Sequence, residues 1–235
     1  MVPYSETLIA RCAEMPAAEV MALFSVVEHA ADPALMAAAC KRVRVLCHEE
    51  DGCLLCDSLG AVAHLTDAME AHCNVPAVQQ QACAAIINLC SGEVQPDQPA
   101  VRQDNAASCT LEAIVAAMTA NLDYPGVQEM AFVAIRNITT GDDANAFRRK
   151  QLVAEAGAIG AIVVAVNKYE GTGSVAEQGI VTLRQLTSKT PLLQARALEA
   201  GAKKEWLRSG ADDAGLSARV RGLTSRVLGR TPRNS

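Results

Sequence analysis

The side chains in this chain that could do chemistry are thiols and imidazoles. Cys53 and Cys56 form a C-x2-C pair with His48 and His64 nearby. Two thiolates at that spacing can share a zinc ion or cycle through a disulfide. Zinc needs a second ligand pair at suitable spacing, and none is clear in the sequence. A repeat register accounts for the thiols better, because Cys40 and Cys83 fall in one column and Cys47 and Cys90 in another. Residues recurring at equivalent helix positions are expected to be small buried packers. His29 and His72 share a column with Asn121 near a helix end, where a polar or cationic group suits the helix dipole. There is no G-x-S-x-G, no Walker loop and no H-E-x-x-H, and Gly171 with Gly173 makes only a G-x-G between helices. The expectation is a chain with no enzymatic activity, no metal and no cofactor.

The elements that position these residues are helices. Half of the 235 residues are hydrophobic but only 3% are aromatic, so Ala, Val and Leu fill the interior. Small aliphatic residues without β-rich runs suit helices packed closely side by side, which predicts an all-α fold. A net charge of -5 and the scarcity of base-stacking aromatics argue against nucleic-acid binding. Residues 203–235 carry eight Lys/Arg against three acids, a solvated basic end cap on an otherwise acidic chain. No basic n-region precedes an apolar run, and no stretch approaches the roughly 20 apolar residues of a membrane span. Nine cysteines without a secretory signal point to reduced thiols in a cytoplasmic or nuclear protein.

Internal repetition organises the chain. VPAVQQQACAAIINLCSG from Val75, YPGVQEMAFVAIRNITTG from Tyr124 and GSVAEQGIVTLRQLTS from Gly173 align without gaps. The alignment sets Val78, Val127 and Val175 in one column, Ala82, Ala131 and Gly179 in a second, and Leu89, Ile138 and Leu186 in a third. Weaker copies place Leu35 and Leu216 in the first column, with successive spacings of 43, 49, 48 and 41 residues. Each copy has the apolar period of an amphipathic helix, and three begin with Pro33, Pro76 or Pro125. A second periodic run precedes each of the first four copies, such as AEVMALFSVVEH or AIGAIVVAVNKY, and Gly60, Gly157 and Gly201 end the shorter segments before that. Five units follow, near 4–48, 49–91, 92–141, 142–189 and 190–229, with a tail at 230–235. No unit buries its own apolar face, so neighbours must stack and the outer units act as caps.

Units of this size match HEAT and armadillo repeats, and the residues resemble the armadillo family. VQQQACAAIINLCSG and VQEMAFVAIRNITTG look like that family's third helix, with its asparagine at Asn88 and Asn137, and VAEAGAIGAIVVAV is similar to its junction between first and second helices. The likeness runs over nearly the whole chain. It departs at Val45, Gln185 and Arg226, which stand in the asparagine column, and at Cys109, which stands for the junction glycine.

The resemblance implies a right-handed α-solenoid of about five three-helix repeats whose third helices line a concave groove. There the column asparagine typically holds the backbone of an extended peptide. That role carries over to Asn88 and Asn137, and Gln185 could share it; the alternative is a hydrogen bond between repeats. Import receptors of the family carry tryptophan four residues earlier, where this chain has Ala84, Val133 and Val181. The column just before the asparagine reads Arg44, Ile87, Arg136, Arg184 and Ser225. Arginine forks in register suit carboxylates or phosphates on an extended partner, unless each pairs with an acid on the neighbouring unit. The expected function is a scaffold that holds an acidic or phosphorylated protein segment through Arg44, Asn88, Arg136, Asn137, Arg184 and Gln185. A co-chaperone resembling the armadillo-type exchange factors of Hsp70 and a structural subunit of a cytoskeletal assembly are the alternatives.

Overall fold

Proline opens four of the helices, at the first position, where its missing N–H deprives no carbonyl: Pro33, Pro76, Pro125 and Pro191. The computed structural model describes residues 4–91, 98–141 and 143–208, and over these the chain is all-α, without a strand. The helices are α1 (Tyr4–Cys12), α2 (Ala17–Ser25), α3 (Val27–Ala30), α4 (Pro33–Leu46), α5 (Glu50–Ser58), α6 (Ala61–Ala71), α7 (Pro76–Leu89), α8 (Gln98–Cys109), α9 (Leu111–Ala120), α10 (Pro125–Ile138), α11 (Ala144–Glu155), α12 (Ala158–Lys168), α13 (Ser174–Thr187) and α14 (Pro191–Glu199). A 3-10 turn at Lys204–Leu207 follows. Leu216, Ser225, Arg226 and the tail 230–235 lie outside the described residues.

From α5 to α13 the helices come in threes, each set ending in a helix of 14 residues, the length that α4 also has. The long helices α4, α7, α10 and α13 pack in that order as one row, and α2, α6, α9 and α12 pack as a second. Asp32 caps α4 by accepting from the N–H groups of Ala34 and Leu35, and Asp143 caps α11 through Ala146. Gly60 and Gly157, at φ 75° and 85°, turn the chain from a first helix into a second. Between α8 and α9 that glycine is missing, and the link shrinks to one residue, Thr110, at φ -113°. Cys109 therefore ends α8 and is not the turn residue. The run AEVMALFSVVEH also differs from one continuous helix: Val26 is extended and separates α2 from α3, where two adjacent β-branched residues weaken helical preference.

The three aligned apolar columns form the core. Leu35, Val78, Val127 and Val175 are at most 4% exposed, and Ala82, Ala131, Leu89, Ile138 and Leu186 are fully buried. Burying one of these Val, Leu or Ile side chains contributes about 1.5–3 kcal/mol. Gly179 is the column's smallest member for a visible reason. A Cβ there would stand 2.4 Å from Val166 and 3.2 Å from the Phe132 ring, so glycine lets α13 close onto both α12 and α10.

All nine cysteines are free thiols; seven are buried and Cys109 is exposed. Burial pushes the Cys83 and Cys90 thiols up from 9.0 to about 12 and raises Cys40 as well. The folded chain thus holds these protons more tightly than the unfolded chain. Their contribution is complete below about pH 9 and is lost as pH rises toward 12, at roughly 1 kcal/mol per thiol by pH 10. Urea unfolding at pH 8 and pH 10 is expected to show this fall. Cys83→Ala should reduce it by one thiol's share; an identical fall would refute the assignment.

Candidate functional site

The asparagine column points across the stack. Asn88 Nδ2 donates to the Arg44 carbonyl at 2.8 Å, Asn137 Nδ2 to the Ile87 carbonyl at 3.0 Å, and Gln185 Nε2 to the Arg136 carbonyl at 2.8 Å. Each acceptor is the residue just before the column position of the preceding unit. Asn137 also donates to Ser91 Oγ at 2.9 Å and Gln185 to Thr139 Oγ1 at 3.1 Å. The amide nitrogens are thus engaged between neighbouring long helices, and Asn88 is fully buried. Each such bond contributes about 1 kcal/mol net, and more is lost if one buried partner is removed.

The arginines of the adjacent column reach the opposite way along the stack. Arg136 donates from Nη1 to the Gln178 carbonyl at 3.3 Å and to Thr182 Oγ1 at 3.4 Å, and from Nη2 to Gln178 Oε1 at 3.4 Å. All of these acceptors are neutral oxygens on α13. Burial lowers the Arg136 guanidinium to about 10, which leaves it cationic at neutral pH. Arg184 donates from Nε to the Trp206 carbonyl at 2.9 Å and from Nη2 to the Glu205 carbonyl at 3.5 Å. Arg44 is half-buried, and desolvation lowers its guanidinium. The structure joins Arg44 to Asn88 and Arg136 to Gln185 through backbone carbonyls. Arg44 and Arg136 sit on α4 and α10, with α7 between them.

The surface around these side chains differs from unit to unit. On α4 Lys41 and Val45 are exposed beside half-buried Arg44. On α7 every residue from Ala82 to Leu89 is buried, including Ala84 and Ile87, which occupy the positions of Lys41 and Arg44. On α10 and α13 Arg136, Asn137, Val181, Arg184 and Gln185 are half-buried, while Thr140 and Ser188 are exposed.

Other polar columns, including the one that His72 and Asn121 share, also bond across the stack. At the ends of the second helices, His72 Nε2 bonds the Ala30 carbonyl at 2.7 Å, Asn121 Nδ2 the Cys73 carbonyl at 2.8 Å, and Tyr169 Oη the Leu122 carbonyl at 3.0 Å. Gln79 and Gln128, both fully buried, each donate twice to the last carbonyls of the preceding helix: Met69 and His72, and Met118 and Asn121. Arg102 and Arg149 are buried at 1% exposure and do the same for the long helices. Arg102 donates to Leu89 and Ser91 carbonyls and pairs with Glu50, while Arg149 donates to Thr140 and pairs with Asp104. Their signal in the sequence is a shared offset, eight residues before Thr110 and before Gly157.

The thiol pair belongs to the same scheme. Cys53 Sγ donates to the Cys47 carbonyl at 3.2 Å, and Cys56 is fully buried. His64 stacks on Phe24 with centroids 5.6 Å apart. Among the described residues no group of three or more His, Cys, Asp or Glu is placed to hold a metal ion. Nor is any single helix there long and apolar enough to cross a membrane; α11 and α12 reach that composition only as a pair bent by 68°. What the geometry defines is a stack of helices stitched by buried amides and arginines. No family model, no curated protein and no solved structure matches the chain.

Proposed function

We propose that the chain is a protein-binding scaffold, a right-handed solenoid of armadillo-type repeats that holds an acidic or phosphorylated extended segment along its arginine column. The observation that carries this reading is the state of Arg136. Its guanidinium is half-buried, cationic and bonded only to neutral oxygens, so its charge is not neutralised within the fold. Burial strengthens the attraction such a cation exerts on an approaching carboxylate or phosphate. Asn88, Asn137 and Gln185 support the site as the rail that fixes the spacing of the arginines. The repeated helix triplets, the left-handed glycine turns and the asparagine column support the armadillo assignment. Nine free thiols agree with a reducing compartment, the cytoplasm or nucleus.

Fluorescence anisotropy with a labelled polyglutamate peptide and a phosphoserine-bearing peptide tests the reading. Wild type is expected to bind with an affinity that falls as salt rises, and Arg136→Glu/Arg184→Glu to weaken binding by about tenfold or more. A thermal melt of the double variant checks that the stack is intact. Equal affinity of a folded double variant would overturn the groove assignment.

A further inference from the structure

We infer that the junction of α4 and α7 binds a single oxyanion, a carboxylate or phosphate oxygen group, on the guanidinium of Arg44. This rests on the proposed arginine column and names its anchor. The chain holds two register-equivalent junctions that differ in how they treat this arginine. Arg44 and Arg136 each occupy the column just before the asparagine position. At the α10–α13 junction Arg136 is satisfied by Gln178 and Thr182, which stand seven and three residues before Gln185. At the α4–α7 junction the same two positions before Asn88 are Gln81 and Ala85.

Alanine removes the hydroxyl acceptor, and the glutamine does not close the gap. The Arg44 guanidinium has no hydrogen bond or ion pair with any described residue, and its Nε is buried without a partner. Gln81 Oε1 is likewise buried and unpaired. Leaving a buried guanidinium N–H and a buried amide oxygen unpaired is costly, and an oxygen ligand on the guanidinium would remove the first of these costs. The ligand's sign follows from the groups on offer. Arg44 carries only donors, exposed Lys41 lies one turn earlier on the same helix, and a turned Gln81 amide adds an Nε2 donor. Burial lowers the Arg44 guanidinium from its ordinary value. An oxyanion with two oxygens matches the guanidinium fork.

The Nε–H resonances of 15N-labelled full-length chain provide the test. Sodium acetate and inorganic phosphate are titrated separately at constant ionic strength, and the Arg44 peak is assigned from its loss in Arg44→Lys. The Arg44 peak is expected to shift along a saturating curve, while the Arg136 peak, whose Nη groups already donate to Gln178 and Thr182, shifts more weakly and without saturating over the same concentrations. Tighter saturation by phosphate than by acetate identifies a phosphorylated segment as the source, and the reverse a carboxylate. Ala85→Ser restores a hydroxyl where Thr182 has one and should weaken the Arg44 response about fivefold. A non-saturating Arg44 response parallel to that of Arg136, or equal affinity in Ala85→Ser and wild type, would overturn the site. Acidic-peptide binding separates the two proposals. If it persists without a saturable Arg44 response, the anchor falls and the scaffold stands; if it is absent while Arg44 saturates, the scaffold falls and the anchor stands.

Discussion

Arg102→Ala is expected to lower the unfolding free energy by about 3–5 kcal/mol, the range for breaking one side of a buried ion pair. The side chain is 1% exposed and serves three groups: the Leu89 carbonyl at 2.5 Å, the Ser91 carbonyl at 3.4 Å and Glu50 at 2.9 Å. Truncation leaves the end of α7 without its donors and opens a cavity beneath α8. Glu50 is 23% exposed and can partly rehydrate, which limits its share. Arg102→Met keeps most of the volume and isolates the polar loss; Arg102→Met with Glu50→Gln removes the orphaned charge and should recover part of it. Arg11 provides the contrast, since it and Glu19 are 61% and 56% exposed and Arg11→Ala should fall within about 0.5 kcal/mol of wild type. Urea unfolding of the set decides the matter: a loss below 1 kcal/mol for Arg102→Ala would show that water replaces the arginine.

The second large effect is expected at Gly52. A Cβ on this residue would stand 1.9 Å from the Leu46 carbonyl oxygen and 2.9 Å from its carbonyl carbon. Both are backbone atoms, so no side-chain rotation relieves the clash and α5 must shift. That helix carries Cys53, Cys56 and the Glu50 partner of Arg102, and Gly52→Ala is expected to cost about 2–4 kcal/mol. Gly160 lies inside α12 with nothing within 4 Å of its would-be Cβ. Gly160→Ala should therefore stabilise by about 0.5–1 kcal/mol through helix propensity alone. Thermal melts showing the two alanines moving Tm in the same direction would contradict this account.

Gly52 also shows what the sequence could not disclose. It stands eight residues before Gly60, the offset that Arg102 and Arg149 hold before their own turns. Read linearly, these three are a helix-weakening glycine and two ordinary surface arginines in polar stretches. Only stacking reveals that this offset faces the end of the preceding long helix. The apolar columns were legible, because Val78, Val127 and Val175 can be buried only if they recur with the helical period. The column of Asn88, Asn137 and Gln185 was legible as a column but not in its use. A carboxamide offers the same N–H to a ligand's backbone as to a neighbour's carbonyl, and the acceptors lie 44, 50 and 49 residues away. Ile87 stands in the arginine column and is buried with its neighbours from Ala82 to Leu89, so α7 presents no guanidinium there.

The two ladders of inter-unit hydrogen bonds have a direction. Asn88, Asn137 and Gln185, like His72, Asn121 and Tyr169, all donate from later residues to carbonyls that precede them in the chain. On a ribosome, where the N-terminal end emerges first, each set of acceptors is already displayed when the next set of donors arrives. Every rung can then form as soon as its unit clears the exit tunnel, and none waits for a segment still to be translated. The stack grows during synthesis like courses of brick, each new layer bonding to the finished one beneath it.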